Sequence, residues 1–180
     1  MELSLMQALL LAAYYWFATW YMFYSIMNIF IGPLFTGLIC GLVLGDVPTA
    51  MKIAAVIQPM FLAFTGAGGT TVWDETAATL GGCTITMISL PIESAVTIAV
   101  PLSLLCAQLH TVRRIITVYT AQQSDKYAAV GNDKGIVFMA TWWNIIMKIF
   151  LFGVPMFFAL YFGAEAVGSF MNSLPEWITN

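Results

Sequence analysis

Few residues in this chain can do chemistry, so the ones that can stand out. Gln58 lies beside Pro59 in the middle of an apolar run. A glycine-rich stretch follows, Gly66-Ala67-Gly68-Gly69, and then Thr70-Thr71-Val72-Trp73-Asp74-Glu75. A glutamine amide donates and accepts hydrogen bonds at once, which is what a polyol hydroxyl needs. The carboxylates of Asp74 and Glu75 accept from hydroxyls if their loop folds back to membrane depth. Pro59 removes a backbone donor and frees a carbonyl. In lipid that carbonyl must find protein, water or a ligand. The residues together read as a binding site for a neutral polyol, made by Gln58, Gly68, Gly69, Asp74 and Glu75.

Other chemistries lack their parts. There is no Ser-His-Asp set, no H-E-x-x-H, no Walker loop and no dinucleotide fingerprint, so no catalytic residue is assigned. The single histidine, His110, ends an apolar run and reads as an interfacial residue. With no second histidine it implies no metal centre. Cys40, Cys83 and Cys106 lie in apolar runs without C-x-x-C spacing and read as small apolar fillers. No metal and no cofactor is expected. Lys148, inside the last apolar stretch, has two readings: a cavity-facing or paired cation, or a lysine on a tilted helix that reaches the interface.

Composition says what must position these residues. Of 180 residues, 61% are hydrophobic and 8% charged, against roughly 25% charged in soluble domains. The chain is an integral membrane protein, all-α, with several transmembrane helices. A net charge of -3 offers no basic surface to nucleic acid. Met1-Glu2 lacks the positive start of a signal peptide, so the first apolar segment is retained as a span.

From Leu3 to Gly45 no residue is charged, and as one helix that run would reach about 65 Å. It holds two spans, about 4–27 and 31–45, broken near Gly32-Pro33. The first is crowded with aromatics from Tyr14 to Tyr24, facing lipid, a partner subunit or a sugar. The second carries Gly37, Gly41 and Gly45, four apart on one face, either a close-packing stripe or ordinary membrane glycine usage. A third span, about 49–65, is interrupted by Gln58-Pro59. Thr76 to Leu90, with Gly81-Gly82 inside, is short for a span and fits a re-entrant hairpin. A fourth span, about 94–109, contains Pro101. Residues 110–135 then carry Arg113, Arg114, Lys126 and Lys134. They read as a cytoplasmic basic loop with an amphipathic helix on the membrane surface. The last apolar stretch runs from Gly135 to Phe162, and Gly163 to Asn180 reads as a loop or surface segment. The whole of 1–180 is one membrane domain, and its Gly- and Pro-interrupted segments are transporter-like.

The ordered motifs carry a resemblance. They are Gly32-Pro33-Leu34-x-Thr36-Gly37, Gly41-Leu42-Val43-Leu44-Gly45-Asp46, Ile57-Gln58, the Gly66 to Gly69 loop, Ala99-Val100-Pro101-Leu102 with Gln108, and Asp125-Lys126-Tyr127-Ala128 with Gly131-Asn132. In order and spacing they resemble the membrane IIC subunit of the mannose/sorbose family of the bacterial sugar phosphotransferase system. The resemblance implies a sugar-translocating inner-membrane subunit that pairs with a IID subunit, in a complex that is a homo-oligomer. Cytoplasmic IIA and IIB relay phosphate from phosphoenolpyruvate, and the phosphohistidine lies on IIB. The chain is then not catalytic by itself, and His110 is not that histidine. Gln58 matches the family's Glu or Gln position. The loop lacks the family's proline after Gly68-Gly69, and Gly32 stands where Arg is usual, so the sugar is left unspecified. Family members carry further apolar segments after the region matching Pro175 to Asn180, so this chain reads as lacking the C-terminal spans. That favours one alternative, a truncated, non-transporting scaffold subunit that only assembles with partners.

Overall fold

A computed structural model describes residues 3–20, 29–62, 73–89 and 94–173, and among these every regular element is helical. Helix α1 spans Leu5–Ala18. A reciprocal cap starts it: the Ser4 hydroxyl accepts from the Met6 amide, and the Gln7 side chain accepts from the Ser4 amide. It ends earlier than the expected span, and residues 21–28 lie outside the described ones.

Helix α2 spans Pro33–Leu44, with proline at its first position, where no amide donor is needed. Gly45 closes it at φ +88°, donating its amide to the Gly41 carbonyl. Asp46 then caps α3, Val47–Leu62, by accepting from the Thr49 amide and hydroxyl. The Thr49 hydroxyl first, then its amide, hold the Asp46 carboxyl below the usual carboxylate range. The cap is therefore complete above that range and fades only as pH falls through the lowered value. The expected break at Gln58-Pro59 does not end the helix. Pro59 sits at an exposed position and α3 runs on to Leu62.

Helix α4, Glu75–Ser89, corrects the expected hairpin. Gly81-Gly82 does not turn the chain. It lets neighbours come close: a Cβ on Gly81 would sit 2.0 Å from the Leu102 side chain, and one on Gly82 would sit 3.0 Å from Ile57. Every residue from Thr76 to Thr86 is buried. The helix is the axis of a bundle and touches α1, α2, α3 and both helices that follow.

Helix α5 spans Ala95–Ala129 and corrects the expected surface helix. Between Leu102 and Ala129 no glycine or proline stops it, so the basic segment continues the apolar one. The turn is Val130-Gly131-Asn132, with Gly131 at φ +65° and the Asn132 side chain accepting from the Gly135 amide. The last helix, α6, covers residues 133–173 and holds two π-helical stretches, Phe138–Trp143 and Ile149–Gly153. At the first, the Asn144 amide donates to the carbonyls of Met139 and Ala140. The segment expected to leave the helix after Gly163 instead continues it to Ser173. Residues 95–129 and 133–163 are long and apolar enough to cross a membrane; α1 to α4 are each shorter. Beyond His110, α5 buries only Thr120 among the described residues, so α5 and the start of α6 leave the bundle as a two-helix arm with an apolar surface.

The glycine stripe packs through two of its three members. A Cβ on Gly37 would lie 2.4 Å from that of Ala54, and one on Gly41 would lie 2.6 Å from the Val47 Cα. Gly37→Ala should therefore lower the unfolding free energy in detergent by about 1–3 kcal/mol through overpacking. Gly163→Ala, whose nearest contact would be 3.7 Å away, should be neutral or stabilising. Equal unfolding curves for the two would contradict the close α2–α3 contact.

Candidate functional site

Two linked clusters of polar side chains lie at one end of the bundle. The first is built on Asp74, which is 6% exposed. It stands just before α4, and its Oδ1 accepts from the Ala77 amide at 2.9 Å, capping that helix. Its Oδ2 accepts from the Tyr15 hydroxyl of α1 at 2.6 Å and faces His110 Nε2 of α5 at 2.9 Å. The two atoms share one hydrogen bond between α5 and the start of α4. Phe152 of α6 backs both donors, edge-on to the Tyr15 ring at 5.9 Å and tilted against the His110 ring at 4.8 Å.

The second cluster surrounds the turn from Phe30 to Leu34. The Tyr14 hydroxyl donates to the Phe30 carbonyl and lies 3.2 Å from the Thr36 hydroxyl. The Thr76 hydroxyl donates to the Ile31 carbonyl at 3.0 Å. The Gln58 carbonyl oxygen accepts from the Leu34 amide at 3.2 Å. Gly32 gives α2 no side-chain cap, so Gln58 supplies one from a neighbouring helix. Three helices thus hold one turn, and the start of α4 joins the two clusters through Asp74 and Thr76, two residues apart.

Two groups keep capacity to spare. The Gln58 amide nitrogen and the Glu75 carboxylate make no hydrogen bond among the described residues, and both side chains are half-buried. Asp74 differs, because both its oxygens are already engaged. Of the residues expected to bind a polyol, Gln58, Asp74 and Glu75 fall at this end of the bundle, while Gly68 and Gly69 lie outside the described residues. Sequence reasoning missed Tyr14, Tyr15, Thr76 and His110. His110 is buried inside the bundle, 4% exposed. Its signal was its singularity in an apolar chain, where an ionisable residue is costly unless paired. Tyr15 had no signal that set it apart from the aromatics around it. Lys148 lies with its Nζ 5.8 Å from the Trp20 ring centre, a cation over an aromatic face.

Comparison with known proteins adds a second line. The family described as PTS system sorbose-specific IIC component matches residues 5–180. The fructose permease IIC component of Bacillus subtilis is 28% identical over 149 residues, covering 82% of this chain and 55% of that protein. The mannose-specific EIIC component of the phosphotransferase system of Escherichia coli is 28% identical over 155 residues, covering 82% and 56%. The chain spans about half the length of the curated relatives it matches. A chain in the cryo-EM structure of the mannose transporter ManYZ in complex with a microcin superposes on all of this chain and 73% of its own, with TM-score 0.79. At 24% identity that likeness is one of fold.

Tyr15→Phe removes one of three hydrogen bonds to a buried carboxylate without changing shape. It should destabilise the bundle by about 1–3 kcal/mol, read as a lower unfolding midpoint in detergent. An unchanged midpoint would mean that the Tyr15–Asp74 contact contributes nothing.

Proposed function

Because the chain belongs to the sorbose-specific IIC family of the phosphotransferase system, matched over residues 5–180, we propose that it is the sugar-translocating membrane subunit of a phosphoenolpyruvate-dependent sugar phosphotransferase system. What supports this reading is that the Gln58 amide nitrogen and the Glu75 carboxylate, on neighbouring helices of an apolar bundle, make no hydrogen bond among the described residues. A donor and an acceptor held by neighbouring helices suit vicinal hydroxyls. Asp74 contributes by fixing the start of α4. Gly68 and Gly69 lie on the connection between Gln58 and Glu75, where backbone without side chains can approach a ring closely. The chain binds sugar and passes it inward. Phosphoryl transfer belongs to a cytoplasmic IIB subunit supplied by IIA, so the chain is a transport component and not an enzyme alone.

The apolar arm of α5 and α6 fits a membrane partner. We assign that partner as a IID subunit, in a homo-oligomer of the complex in the bacterial inner membrane. The groove between the two helices, lined by Ile116, Tyr119, Trp143, Met147 and Phe150, offers side chains of the size that membrane helices pack against. The basic residues of 110–135 support a cytoplasmic side for this arm by the positive-inside rule.

Two experiments test this. Uptake of radiolabelled mannose, fructose and sorbose is measured in a strain deleted for this chain and complemented with it alongside its IID, IIA and IIB subunits. Uptake of at least one sugar should return, and Gln58→Ala should weaken binding of that sugar about tenfold, the worth of a good hydrogen bond. Normal affinity in Gln58→Ala would remove the site assignment, and no uptake of any sugar would remove the function. Orientation is tested with Gln122→Cys, an exposed position on the arm. A membrane-impermeant maleimide should label it in inside-out vesicles and not in right-side-out ones. The native Cys40, Cys83 and Cys106 are buried and should stay unlabelled.

A further inference from the structure

We infer that His110 is a positioning residue for sugar binding, acting through Asp74 on the first turn of α4. The inference rests on the assignment of the sugar site to Gln58 and Glu75. The geometry is a relay of contacts. His110 Nε2 lies 2.9 Å from Asp74 Oδ2, and Asp74 Oδ1 accepts from the Ala77 amide at 2.9 Å. The carboxylate therefore cannot rotate without giving up a contact to α5 or the cap of α4. Glu75 and Thr76 are the next residues, so their directions follow from the backbone that the carboxylate fixes. Thr76 then reaches Ile31 and Gln58 reaches Leu34, three residues further along the same turn.

His110 is suited to this task and to little else. Its ring lies against Phe152 at 4.8 Å. Its Nδ1 is buried with no hydrogen-bond partner among the described residues, so among them the ring's one polar contact is the one to Asp74. A histidine serving only to fill space would not leave a buried nitrogen unmatched, because an apolar side chain of similar shape avoids that cost. The contact also crosses helices. Of the three donors to Asp74, one comes from α1, one from α4 itself and one from α5, and His110 is the one that ties α5 to the site.

The test uses the full chain purified with its IID subunit and measures equilibrium binding of radiolabelled mannose and fructose, together with the melting temperature. Three substitutions separate contact from shape. H110F keeps the ring and loses the donor. H110N is polar but too short to reach Asp74. H110Q places an amide N–H where Nε2 stood. H110F and H110N should weaken binding about tenfold or more, and H110Q should stay within about threefold of wild type. In transport, KM should rise for H110F and H110N while the maximal rate is kept, a split that loss of folded protein does not give. If H110F does not fold, the comparison of H110N with H110Q decides. Equal affinities for those two overturn the inference. If the His110 variants bind as wild type while Gln58→Ala is weakened, His110 plays no part and the sugar site stands. If Gln58→Ala is also unchanged, the site assignment fails and takes this inference with it.

Discussion

The structure depends on a carboxylate buried between helices. Asp74 is enclosed by helices in a chain built for lipid, where an unpaired charge costs several kcal/mol or more. Three donors from three helices offset that cost, and each must arrive at a fixed distance. The requirement works in both directions. The helices bring the donors, and the carboxylate then specifies how α1 and α5 sit against the start of α4. Apolar packing alone is tolerant of small shifts between helices, whereas a shared carboxylate is not.

Around that point the bundle closes through small residues. Membrane helices gain little from hiding apolar surface from lipid, so contact area has to come from close approach. Here Gly37 and Gly41 seat α2 on α3, while Gly81 and Gly82 admit Leu102 and Ile57 to the face of α4. Threonines on α4 add polarity without bulk, and Thr79 returns its hydroxyl to the Glu75 carbonyl one turn back. The result is a short central helix surrounded on all sides, with the polar clusters at its N-terminal end.

What the amino-acid sequence disclosed follows from range. The all-helical membrane class, the Gly32-Pro33 start of α2 and the Gly45-Asp46 turn rest on local rules, and all appear in the fold. Gln58 and Glu75 stood out because polar residues in apolar runs are costly wherever they end up. The breaks were harder. Pro59 and Pro101 lie within helices that continue past them, and Gly81-Gly82 serves packing instead of turning. The run from Leu102 to Ala129 contains no breaker, yet its change from apolar to basic suggested a boundary that the backbone does not have. The Asp74–His110 and Tyr15–Asp74 contacts join residues 36 and 59 positions apart. No periodicity links such positions, and tertiary packing alone makes them neighbours.

One consequence concerns α5. From His110 to Ala129 it is a single rod without a hinge, about 28 Å long at helical rise. A rod fixed at one end transmits rotation as well as force. A tilt of a few degrees at the tip becomes a sub-ångström shift at the base, where an imidazole meets a carboxylate at hydrogen-bonding distance. Shifts of that size leave apolar contacts almost unchanged but are felt at once by a charge-assisted bond. The arm is therefore mechanically a pointer whose short end rests on the most distance-sensitive contact in the molecule.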